Sequence, residues 1–118
     1  MNEYVILIGL PTNLDLGEDA ERDKSRRLWA IHKLMFSLGP AWSGNQGSIL
    51  LKSDLTRDEI VTRISPLIGD SDVVAVMQIS TRSITTIGWI ADEEGFDSLC
   101  PNVEKFGVSR DGSIYRRD

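Results

Sequence analysis

Histidine is the side chain best suited to proton transfer near neutral pH, and this chain carries one, His32. Trp29 and Phe36 stand three and four positions away. That spacing predicts a packed or surface histidine on a helix rather than a general base. A single histidine cannot form a metal-binding pair. The lone Cys100 likewise permits neither an intramolecular disulfide nor a cysteine zinc cluster. Four carboxylates, Glu18, Asp19, Glu21 and Asp23, crowd together. Such a cluster could gather a divalent cation, but it reads more simply as the solvated start of a helix, where the dipole favours negative charge. The segment Ser43-Gly-Asn-Gln-Gly47 holds two glycines without the lysine and following helix of a phosphate loop. It reads as a turn. Gly-x-Ser-x-Gly does not occur, so small-molecule hydrolysis has little support.

The elements that would position these residues are organised around Ser48 to Ile79: a short apolar run, a capped amphipathic helix and a longer apolar run. Thr56 and Glu59 have the spacing of a capping box. Ile60, Ile64, Leu67 and Ile68 then recur every three or four residues and place one stripe toward a core. Pro66 should bend or loosen the last turn, and Gly69 suits a left-handed residue beyond the helix end. Before this stretch, Tyr4 to Leu10 reads as a buried central strand. A long helix follows from about Asp19 to Leu38, with Leu28, Ile31, Leu34, Met35 and Leu38 on one face and Gly39-Pro40 as its stop. Its acidic residues come first; Lys24, Arg26, Arg27 and Lys33 come later, as the dipole prefers. Two short strands flank the 43–47 turn. After Val73 to Ile79, an extra strand is expected over Ile84 to Ile90, a short helix over Asp92 to Leu99, and a hairpin turn at Asp111-Gly112. The last residues, Arg116, Arg117 and Asp118, are expected to fray.

This order predicts an α+β fold: a ferredoxin-like βαββαβ sandwich over residues 1–90, with an extra C-terminal strand, and an irregular extension over 91–118. Val73 to Ile79 is apolar on both alternating sets, as if both sheet faces were covered. The extra strand Ile84 to Ile90 and the tail could supply that cover, from the same chain or from a second copy, and a homodimer is the preferred expectation. The 118 residues suffice for one domain with a real core. The longest apolar run falls short of the roughly 20 residues of a membrane helix, and no basic stretch precedes the first apolar run. No membrane association and a cytoplasmic location are therefore expected. The formal charge of −5 does not attract nucleic acid through the overall field, although a local basic patch can survive an acidic average.

The run Gly-Ser-Ile-Leu-Leu-Lys-Ser-Asp-Leu-Thr-Arg-Asp-Glu-Ile (47–60), leading into Gly-Asp-Ser-Asp-Val-Val-Ala-Val-Met-Gln-Ile (69–79), resembles the SinR-like group. That group belongs to the superfamily of VapD-type ribonucleases, the GhoS antitoxin and the CRISPR adaptation subunit Cas-two. The resemblance spans roughly residues 4 to 90. It implies a small dimer with a ferredoxin-like core, in a group that includes metal-dependent nucleases and nucleic-acid binders. Nuclease members carry an aspartate at the end of the first strand to hold a divalent metal. Here that strand ends Gly9-Leu10-Pro11-Thr12-Asn13, without a carboxylate. The nearest acid is Asp15, the one weak catalytic candidate, and Thr12 or Asn13 would be poor ligands for Mg²⁺.

Two functional readings follow. The first is a dimeric RNA- or DNA-associated protein whose nuclease chemistry is lost or altered, so that no cofactor is expected unless cleavage survives and requires Mg²⁺. Arg82, Arg110, Arg116 and Arg117 are its candidate nucleic-acid contacts. The alternative is a non-catalytic, antitoxin- or adaptor-like module that binds a protein through Trp42 and Trp89, since tryptophan is enriched at binding hot spots.

Overall fold

The computed structural model describes residues 1–11, 17–45 and 47–117. Thr12, Asn13 and Asp15 lie outside the described residues, as do the acidic side chains at 18, 19 and 21 and residue Asp118. The fold is α+β, with two sheets and three α-helices among the described residues. The first sheet contains β1 (Asn2–Gly9), β2 (Ala41–Asn45), β3 (Ser48–Ser53) and β4 (Val73–Ile79). Its spatial order is β2-β3-β1-β4, and every neighbouring pair is antiparallel. Helix α1 (Gly17–Ser37) connects β1 to β2, and α2 (Arg57–Ile64) connects β3 to β4.

Alternation along β1 explains the two-layer packing. Tyr4 and Ile6 turn to one face, where they meet Ile49 and Leu51 of β3, Ile31 and Met35 of α1, and Ile60 and Ile64 of α2. All eight are buried. Two polar groups in this layer are satisfied rather than stranded. The Tyr4 hydroxyl donates to the Leu55 carbonyl at 2.7 Å. Buried Ser53 donates to the Leu38 carbonyl at 3.0 Å and accepts from the Leu55 N–H at 3.2 Å. It thereby fastens the end of α1 to β3. Gly39 sits where the chain passes β3 so closely that a Cβ would collide with the Lys52 carbonyl.

The other sheet face is covered by the same chain. Leu50, Val5, Trp42 and Ile79 pack against Ile84, Ile90, Phe96, Leu99, Cys100 and Val103. This cover includes α3 (Glu93–Leu99), capped by the Asp92 carboxylate, which accepts from the Gly95 N–H at 3.3 Å. Burial pushes the Cys100 thiol above its usual pKa.

The expected extra strand over 84–90 is shorter, although Ile84 and Ile90 at its margins contribute to the covered face. Residues Thr85–Ile87 form β5, which runs parallel to β6 (Glu104–Val108); β6 is antiparallel to β7 (Ile114–Arg116). These three make a second sheet in the order β5-β6-β7. Gly88, at φ +96°, takes the chain out of strand geometry and ends β5. The second sheet thus begins inside the segment expected to belong to the first domain. Parallel pairing of β5 and β6 requires a crossover, and α3 supplies it.

Three local expectations are also revised. Gly69 does not take a left-handed conformation. A 3-10 turn over Ser65–Leu67, opened by Pro66, ends in extended Ile68, and the Gly69 N–H goes to Asp72 at 2.7 Å. The chain end does not fray at Arg116 and Arg117. Arg116 belongs to β7, and the Arg117 N–H donates to the Lys105 carbonyl at 2.8 Å. The dipole cannot account for the cations of α1, because its last turn holds no basic residue and the dipole effect fades beyond a terminal turn.

Candidate nucleic-acid interface

The residues singled out from sequence do not converge on one place. Arg82 lies in a 3-10 turn after β4, Thr81–Ser83, whose Thr81 N–H is held by the Glu3 carboxylate. That bond holds Glu3 below the usual carboxylate range. The other three arginines belong to the second sheet or its turn. Arg110 is exposed between β6 and β7. The Arg116 side chain pairs with Glu104 and lies 5.9 Å from the Phe106 ring centroid. Arg117 meets Glu93 at 2.6 Å. This contact lowers the Glu93 pKa and raises that of Arg117. Arg116 and Arg117 both border one open cleft with Lys105, but each is paired with a carboxylate, so the cleft offers little free positive charge.

The two tryptophans also differ. Trp42 serves the chain's own packing: it meets the Phe96 ring edge-on at 4.9 Å, and its indole N–H donates to the Ala91 carbonyl at 2.8 Å. Trp89 is 88% exposed. It borders a cleft of about 450 Å³ together with Gly88, Glu93, Gly107, Tyr115 and Arg117.

His32 is a tether. Its Nδ1–H donates to the Leu28 carbonyl at 2.9 Å, and Nε2 lies 3.2 Å from the Ser43 hydroxyl, which itself donates to the Ser48 carbonyl at 3.3 Å. The pair ties α1 to edge strand β2. Among the described residues, no group of three His, Cys, Asp or Glu side chains is placed to hold a metal ion.

A more coherent charged surface lies on α1, at residues outside the sequence-derived nucleic-acid candidates. Arg22, Arg26, Trp29, Lys33 and Phe36 follow one another at spacings of four, three, four and three. At 3.6 residues per turn, that rhythm puts all five on one stripe. Each is exposed, Trp29 to 70% and Phe36 to 51%. The opposite side of the helix carries Ile31 and Met35 into the core, with Leu34 and Leu38 packed beside them. The sequence of α1 holds five cations and four carboxylates, and all but one of those acids precede Arg22, so from Arg22 to Ser37 the net is +4 within a chain of −5. The exception, Asp23, is engaged with Arg27 at 2.9 Å, and Arg27 also pairs with buried Asp72. The signal was present in the sequence as a second periodicity, out of phase with the apolar one. No family model, curated protein or solved structure matches this chain.

Proposed function

We propose that this chain is a small nucleic-acid-associated protein that acts as a homodimer, with a ferredoxin-like core and with nuclease chemistry lost or altered. The observation that carries the nucleic-acid reading is the exposed stripe of α1, on which Arg22, Arg26 and Lys33 stand among Trp29 and Phe36. Phosphate binding depends on such local clusters rather than on net charge. The β2-β3-β1-β4 order and the two connecting helices support the ferredoxin-like core. The first strand ends Gly9-Leu10-Pro11, without the carboxylate that nuclease members of the resembled group carry there as a metal ligand.

Fluorescence anisotropy with labelled RNA and DNA tests this reading. Three phosphate contacts would give a log–log salt slope of about −2 for single strands, or roughly a 20-fold loss between 50 and 200 mM salt. Absence of binding to any nucleic acid at low salt would overturn it. A parallel assay with Mg²⁺ or Mn²⁺ reads out any surviving cleavage, and Asp15→Ala asks whether that residue has taken over the metal role.

A second reading, a regulatory module that binds a protein, is favoured by one feature: Trp89 projects almost wholly into solvent beside Tyr115, itself half exposed. Capture of a partner that is lost with Trp89→Ala would support it.

A further inference from the structure

We infer that the outer face of α1 binds single-stranded nucleic acid, holding phosphates on Arg22, Arg26 and Lys33 and stacking bases on Trp29 and Phe36. This rests on the nucleic-acid reading above and specifies the strand type and the residues. Along the stripe the order is cation, cation, aromatic, cation, aromatic. Trp29 and Phe36 lie two turns apart, about 10.5 Å along the axis, with Lys33 between them. The whole stripe spans about 21 Å.

Neither packing nor propensity explains these aromatics. The buried side of α1 already supplies its apolar contacts, and Trp and Phe are poorer helix formers than Lys, Glu or Ala. Leaving an indole 70% exposed forfeits burial that a core position would have gained. Sequence-tolerant recognition of single strands combines these two ingredients, cations that track the backbone and ring faces on which unpaired bases stack. A duplex hides its base faces, so it could use the cations but not the rings. A lipid surface suits the stripe less well. A helix lying in the interface needs a broad apolar face to insert, whereas here the aromatics are separated by Lys33 and the apolar face is already committed to the core.

The test uses the full chain and fluorescein-labelled oligo(dT) and oligo(U) of about 20 nucleotides, a hairpin duplex of equal charge, and phosphatidylserine vesicles, all at low salt. Single strands are expected to bind at least about tenfold tighter than the duplex. Trp29→Ala and Phe36→Ala should each weaken single-strand binding by about tenfold and leave duplex binding little changed. The double variant Arg26→Glu, Lys33→Glu should abolish both. Because all four residues are exposed, circular dichroism should show the fold retained in every variant. Equal affinity for single strand and duplex, or aromatic variants that bind like wild type, would overturn the stacking site while leaving nucleic-acid association standing. Charge-reversed protein that still binds would remove the interface from α1. Failure to bind any nucleic acid would instead overturn the proposed function, and vesicle binding in that case would assign the face to lipid.

Discussion

At the scale of single residues, Asp72 shows how the surroundings assign a role to an otherwise ordinary acid. Its side chain is 3% exposed, accepts from the Gly69 N–H and pairs with Arg27. The contact joins α1 to the loop before β4, two segments 45 positions apart in sequence. Breaking a fully buried ion pair costs about 3–5 kcal/mol. Arg27, however, keeps Asp23 and is partly open to water. Asp72→Ala should therefore destabilise the fold by about 1–3 kcal/mol in urea unfolding, and Asp72→Asn by less if the amide oxygen keeps the Gly69 bond. The identity of Asp72 is plain in the sequence; its burial is not, because a distant helix supplies the partner. Trp42 and Trp89 make the same point. Their composition is identical, yet Phe96 and the Ala91 carbonyl enclose one while the other stands clear.

Individual elements were more legible. In α2, the Thr56 hydroxyl accepts from the Glu59 N–H at 3.2 Å, and the Glu59 carboxylate accepts from the Thr56 N–H at 3.1 Å, as the four-residue spacing implies. Thr56→Ala should cost about 1 kcal/mol of stability, measured as a shift of the urea midpoint at unchanged slope. Pro66 acts where expected, converting the end of α2 to a 3-10 turn. Helix α1 was legible in extent but not in purpose. Ordering of charge along its axis suggested a dipole effect, yet its cations lie before the last turn, and only the exposed face shared by Arg22, Arg26 and Lys33 suggests a ligand.

Across the whole molecule, the two sheets differ in how completely they are covered. The first has helices on one face and the C-terminal segment on the other. The second leaves one face open: Ile87, Val108 and Ile114 alternate onto it, each more than half exposed, beside Phe106. A second copy seated there would bury this face and account for the proposed homodimer. Light scattering across a concentration series should then report a dimer that Ile114→Glu converts to monomer, with little change in the far-ultraviolet spectrum. A monomer at every concentration would count against the dimer.

Features that are local or periodic were legible in the chain alone. Caps, turns, apolar repeats and strand alternation act over a few residues, so the α+β character and most helices and turns could be read without coordinates. Only the tertiary structure decided which strands pair, because each pairing is settled by competition among distant segments. Thus 84–90, readable as one extra strand, was divided: Ile84 and Ile90 pack against the first sheet, while Thr85–Ile87 became β5 of the second once Gly88 ended it and β6 offered a partner. The candidate interface divides in the same way. Its rhythm is written along α1, but an exposed face becomes distinct from a buried one only when the core claims the other side of the helix.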